Sequence, residues 1–292
     1  MLLRFFSIPS VRIFILVALT LAPAACQTVP GTGRSQLNVM SIGTEMSLGS
    51  QGYTEAMRET RVITSGADAE MVQRIGQRIA TAAEKLYPES IASRCRWQFN
   101  LIDDDKMVNA WAMPGGGCAV YTGIMPIAET ENGLAIILGH EVAHVIARHG
   151  GERMSHNTVL TIGMIGAQIK MRDMNHRDRT LMMAAIGGFA TVGVMLPFSR
   201  SHESEADELG LYLAAAAGYD PREAIPVWER MAKEGGGRGL EFFSTHPHPS
   251  TRIDQFKELM PKALDYFHQS QSPNSRVHSD SNDNGKRRTR NR

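Results

Sequence analysis

No histidine precedes His140, although the 292-residue chain carries ten. Imidazole chemistry therefore belongs to the second half. Cysteine is scarce too: three residues are too few for a disulfide scaffold. Charge of one sign is not in excess. Lys+Arg is 31 against 30 Asp+Glu, a formal charge of +1, so no nucleic-acid partner is expected. Long apolar runs are missing: residues 13–22 are too short to span a bilayer, and the nearly uncharged stretch 180–197 only approaches the roughly 20 residues required. That stretch, with Gly188 and Gly193, is expected as a protein-packed or lid helix. No internal repeat is present. With 42% hydrophobic and 21% charged residues, the chain is neither wholly disordered, collagen-like nor a polytopic membrane protein.

The two ends read differently from the middle. Arg4 and Arg12 precede an apolar run from Ile13 to Ala22, and small residues follow up to Cys26. A basic start, an apolar run and a small-residue exit describe a secretory signal over 1–25. Ala24-Ala25-Cys26 resembles the end of a bacterial lipobox, with Pro23 where leucine is usual, so both acylation of Cys26 and simple cleavage stay open. The expected placement is an exported periplasmic protein, anchored to the outer membrane as a lipoprotein through Cys26. Residues 26–43 are expected as a tether. Cys95 and Cys118 would then form one disulfide or stay as two free thiols. Residues 269–292 are polar and net basic with one valine, and too little apolar surface offsets their chain entropy, so they are expected as a disordered basic tail.

Residues 44–268 carry the domain. Met71, Val72, Ile75, Ile79 and Ala82 recur at helical spacing and predict an amphipathic helix over 68–86. Strands are expected over 97–102, 107–112 and 118–121, the last two separated by the turn Pro114-Gly115-Gly116-Gly117. After Tyr121 the pattern is helical, over 123–128, 132–149, 155–171, 179–196, 200–217, 221–234 and 249–267. The expected class is α+β: a mostly helical body with a small antiparallel sheet.

One segment carries chemistry by itself. In Gly139-His140-Glu141-Val142-Ala143-His144, the two histidines stand at i and i+4 on one helix face, so both imidazoles can aim at one Zn²⁺. Glu141, between them, can take a proton from water without being a ligand. A third ligand is needed, and the run from Ser201 to Glu208 offers one. Glu203 and Asp207 share a helix face, so Glu203 can ligate and Asp207 can accept the other N–H of a zinc histidine. Glu205 or His202 is the alternative ligand. Otherwise Glu205 and Glu208 read as a solvated helix start, and His149 as a histidine near a helix C-terminus.

These blocks resemble the zinc metallopeptidases of family M48, the HtpX and CAAX-prenyl-protease family, and within it the Oma-like periplasmic lipoprotein branch. The resemblance rests on Asn109-Ala110-Trp111-Ala112-Met113-Pro114-Gly115-Gly116, on His140 to His144, on Glu203-Ser204-Glu205-Ala206-Asp207, and on Ser244-Thr245-His246-Pro247 with Arg252 following. It spans about residues 45–262 and implies a gluzincin-type domain with one zinc per chain. Glu203 would be the third ligand and Glu141 the general base and later proton donor. His246 would donate to the developing oxyanion or occupy the fourth zinc position at rest, with Arg252 orienting it. Asn109, Ala110, Pro114, Gly115 and Gly116 would line an edge strand and turn that bind substrate. The implied activity is endopeptidase action on misfolded or unassembled cell-envelope proteins, with a latent metal-bound chaperone as the alternative.

Overall fold

The computed structural model describes residues 26–172, 174–189, 196–235, 242, 246 and 251–272. The expected signal, most of the basic tail and much of the His246 loop lie outside these residues. The segment expected as a tether is instead a short antiparallel hairpin, β1 (Cys26–Thr28) paired with β2 (Ser35–Leu37). Buried Val29 and Gln36 seat it on the body. Helix α1 (Ile42–Arg58) follows, capped by the Ser41 hydroxyl, which accepts from the Thr44 N–H at 3.1 Å.

After β3 (Val62–Ile63) comes α2 (Ala67–Leu86), whose buried face is Val72, Ile75, Ile79 and Ala83. Then β4 (Gln98–Ile102), β5 (Ala110–Met113) and β6 (Gly117–Tyr121) complete a sheet of order β3-β4-β6-β5. The class is α+β, but the sheet is mixed: β4 and β6 run parallel, with Phe99 opposite Cys118. The chain leaves β4, forms β5 at the far edge and folds back as β6, which inserts between them. Positive φ angles of 98° and 97° at Gly115 and Gly116 make that reversal. Cys95 and Cys118 are free. Cys95 packs against Gly116, two residues before Cys118 in the chain. A disulfide needs Cβ atoms about 3.5–4.5 Å apart.

The helices are α3 (Met125–Ala128), α4 (Glu131–Ile146), α5 (His149–Lys170), α6 (His176–Phe189), α7 (Leu196–Ala216), α8 (Ala224–Gly235) and α9 (Arg252–Gln271). Helix α4 starts at Thr130, whose hydroxyl accepts from the Gly133 N–H at 3.0 Å. It is buried from Gly133 through Ala143 and packs on α7, α2 and β5. An apolar helix surrounded on all sides is the core itself. The helix expected over 132–149 stops early, because Arg148 takes a left-handed φ of 58°. The Arg148 guanidinium donates to Glu45 at 2.7 Å and holds the break in place. Helix α9 runs three residues past the expected end of the domain. The expected lid helix is described only as far as Phe189, and within it Leu181 and Met182 are exposed. Among the described residues no helix is long and apolar enough to cross a membrane.

Candidate metal centre

Helices α4 and α7 cross at two glycines. A Cβ on Gly210 would lie 2.7 Å from the His140 backbone nitrogen, and one on Gly139 would lie 2.6 Å from the Gly210 carbonyl oxygen. The missing side chains let two helices carrying polar residues approach closely enough for those residues to converge. Gly210→Ala is therefore expected to force the helices apart, costing about 1–3 kcal/mol and weakening metal retention. A thermal melt with zinc analysis of the purified variant checks this.

Four side chains meet at the crossing. His140 Nε2 and His144 Nε2 lie 3.1 Å apart, and His140 Nε2 is 3.3 Å from His246 Nδ1. Glu203 carboxylate oxygens lie 3.2 Å from His140, 3.4 Å from His144 and 3.1 Å from His246. One ligand atom from each of the four lies within 4.8 Å of every other. Zinc ligands at about 2.0–2.1 Å in a tetrahedron are separated by about 3.3 Å. Five of the six separations, 3.1 to 3.4 Å, lie close to the edges of such a tetrahedron, so three imidazoles and one carboxylate fit zinc in both chemistry and size.

The surroundings are charged and buried. Asp207 Oδ1 lies 3.0 Å from His140 Nδ1, on the ring edge facing away from the cluster. Arg252 is fully buried; it pairs with Asp207, donates to Glu203 at 3.3 Å and lies 3.7 Å over the Trp228 ring. Burial disfavours the His140 imidazolium, but Asp207 and Glu203 outweigh it and raise its pKa to about 9. His144 is lowered well below the usual histidine value, chiefly by burial. Burial also opposes ionisation of Glu203, yet His144, His140 and His246 hold its pKa far below the carboxylate range.

Glu141 is buried beside this cluster and is not one of the four. Its Oε1 is 3.5 Å from His246 Nε2, and burial raises its pKa. Ala112 of β5 lies beside it and favours its ionised form, so the edge strand runs past the candidate base. Asn109 and Ala110 are buried at the start of this strand. The carbonyls of Gly115 and Gly116 accept from Arg96 and Gln98, both at 2.9 Å, and the Pro114 carbonyl abuts Gly49. Those turn groups tie the strand to its neighbours, and among the described residues Ala110–Met113 is an edge strand paired on one side only, with β6. A separate cavity of about 510 Å³ between α1 and β4, lined by Tyr53, Arg96 and Asn100, holds none of the four ligands.

Five further polar residues, His149, Glu205, His202, Glu152 and Arg34, surround the site. His149 is buried, with Nδ1 2.8 Å from His144 Nδ1 and Nε2 2.9 Å from Glu205. Glu205 is not a solvated helix start; it is buried and also accepts from Arg34 Nε at 2.9 Å. Nor are Glu205 and His202 ligands: His202 bonds Glu152 at 2.9 Å, and Arg34 clasps the same Glu152 at 2.7 and 3.0 Å. Despite burial, hydrogen bonds from His149 and Arg34 lower Glu205 to about 2. Against the same opposition, His202 and Arg34 lower Glu152 to about 2. Burial depresses His149 to about 4. Only the spacing of His149, five residues past His144, hinted at this group. On a continuous helix that spacing points away from the metal; the turn at Arg148 brings it back.

Comparison with known proteins agrees with the geometry. Residues 67–260 match the model of peptidase family M48. The chain is 34% identical over 240 residues to the mitochondrial metalloendopeptidase OMA1 of Schizosaccharomyces pombe, covering 80% of this chain and 66% of that protein. For its Saccharomyces cerevisiae counterpart the figures are 30% over 253 residues, 82% and 71%. For the β-barrel assembly-enhancing protease of Escherichia coli K12 they are 25% over 241 residues, 80% and 47%. The yeast relatives are mitochondrial by name, and the bacterial one is more distant. This corrects the expected placement as a bacterial periplasmic lipoprotein anchored through Cys26. A basic, acid-free leader with an apolar run does not by itself distinguish export from other targeting routes. Family match and tetrahedral donor set together make the chain a member of peptidase family M48, a zinc metallopeptidase.

Proposed function

We propose that the chain is an endopeptidase that hydrolyses peptide bonds in unfolded or misassembled proteins, and that His246 holds it latent at rest. The observation that carries this reading is the position of His246. Its Nδ1 completes the four-ligand set, while its Nε2 stands 3.5 Å in front of Glu141. A catalytic zinc site keeps one position open, so His246 must leave before substrate enters. When bound, zinc supplies Lewis acidity for water and for the scissile carbonyl. Glu141 takes the proton of the attacking water and delivers it to the leaving amine. Asp207 holds the His140 ring so that Nε2 faces the ligand cluster. The outer edge of β5 pairs with an extended substrate backbone, which requires an unfolded segment. The name of the Escherichia coli relative supports proteins awaiting assembly as a substrate class.

The test is zinc content and casein hydrolysis of the purified chain beside His246→Ala. The expected result is one zinc per chain in both and faster hydrolysis by the variant. Equal or lost hydrolysis with zinc retained would remove the latch. One zinc with no hydrolysis in either would favour a metal-bound chaperone, a second reading motivated by the closed four-ligand set.

A further inference from the structure

We propose that Arg34, in the N-terminal hairpin, is a positioning residue for the zinc ligand His144, acting through Glu205 and His149. Arg34 lies between β1 and β2, outside the segment matched to the family model. The inference rests on His144 being a zinc ligand.

The hydrogen bonds run in one direction. His144 turns Nε2 toward the ligand cluster, so in the neutral ring a metal requires, the proton sits on Nδ1. That Nδ1 is 2.8 Å from His149 Nδ1, and two ring nitrogens at this distance share a single proton. His149 Nδ1 must therefore accept, which places the His149 proton on Nε2. Nε2 donates to Glu205 Oε2 at 2.9 Å. A carboxylate only accepts, so the direction is fixed at that end. Glu205 is filled by two donors from the hairpin loop, Arg34 Nε at 2.9 Å and the Thr32 hydroxyl.

Arg34 also fixes the His149 ring from its face. Its two terminal nitrogens clasp Glu152 at 3.0 and 2.7 Å. Glu152 accepts from His202 at 2.9 Å, and the His202 ring stacks on His149 with centroids 4.1 Å apart and planes 9° from parallel. One guanidinium thus holds both the acceptor of His149 and the ring lying against it. Glu152, His149 and Glu205 are all buried, so loss of Arg34 leaves two carboxylates without their shared cation. Partners that orient a metal-bound histidine typically matter by about 10–100-fold in metal affinity. The hairpin is consequently part of the metal site, although it contributes no ligand.

The test uses the full chain. Zinc affinity is measured by competition with a chromophoric chelator for wild type, Arg34→Ala, Arg34→Lys and Glu205→Gln, with the exposed Arg61→Ala as control. Cobalt-loaded spectra and melting of the metal-free forms are recorded in parallel. Expected are zinc dissociation constants about 10–100-fold higher for Arg34→Ala and Glu205→Gln, with shifted cobalt bands. Arg34→Lys should be intermediate, because lysine keeps the charge but not the fork. Wild-type affinity and cobalt spectra in these variants, with only the melting temperature lowered, would make Arg34 a structural residue and overturn the proposal. A variant that does not fold leaves the wild type to decide. Long-range proton–nitrogen correlation spectra of the zinc-loaded chain must show His149 protonated at Nε2 and bare at Nδ1; the opposite tautomer overturns the relay. If wild type itself retains no zinc, the reading of the site has failed along with the relay, an outcome distinct from bound zinc with unaffected variants.

Discussion

Glu141→Gln is expected to slow casein hydrolysis by about 10²–10⁴-fold, the usual worth of a positioned general base, while zinc stays at one per chain. The carboxylate is not among the four convergent ligands, so the amide removes no metal donor. Glutamine has nearly the same shape and fills the same buried space. What it lacks is a proton acceptor of suitable basicity. Burial already raises the Glu141 pKa, which brings it nearer to the operating pH of a group that must both take and return a proton. The measurement is steady-state hydrolysis with zinc analysis of the same preparation. Wild-type turnover in a zinc-loaded Glu141→Gln sample would remove Glu141 from the mechanism. Loss of zinc along with activity would mean that Glu141 supports the ligands instead.

Arg252→Ala is expected to lower stability by about 3–5 kcal/mol, the cost of stranding a buried partner charge. Arg252 is fully buried at the start of α9, and its guanidinium lies between the Trp228 ring and the carboxylates of Asp207 and Glu203. Alanine removes the shared cation of the ligand Glu203 and of Asp207 in a buried site and opens a void against Trp228. Unlike a surface pair, this one is buried, so the remaining partner loses its charge compensation in a low-dielectric setting. Arg252→Lys should recover only part of the loss, because an ammonium cannot bond Asp207 and Glu203 in the same plane while stacking on an indole. Chemical denaturation of zinc-loaded samples gives the number. A change below about 1 kcal/mol, the range of an exposed pair, would show that the two carboxylates find other partners.

His140, Glu141 and His144 were legible because helical spacing is a local property: four residues along an α-helix return to the same face. Glu203 and Asp207 were legible as a pair for the same reason, and Val72, Ile75 and Ile79 revealed the packed face of α2. The strands near 98–102, 110–113 and 117–121 followed from apolar runs bounded by glycine and proline. The order of those strands did not follow. Nothing local says that β6 pairs parallel with β4 and leaves β5 at the edge. Cys95 and Cys118 could be counted but not placed, because their separation depends on that register.

The sequence by itself determined the metal chemistry: which residue types are present, and which of them share a helix face. Tertiary structure alone decided how the ligand set is surrounded. His149 faces His144 only because Arg148 breaks the helix with a left-handed turn. Glu205 reads as a solvated acid until a loop 171 residues away brings Arg34 to it. His246 joins the ligands across 106 residues from His140. Such contacts carry no periodic trace in the chain. They form when burial of α4 between α7, α2 and the sheet draws distant polar groups into a space where each must find a partner.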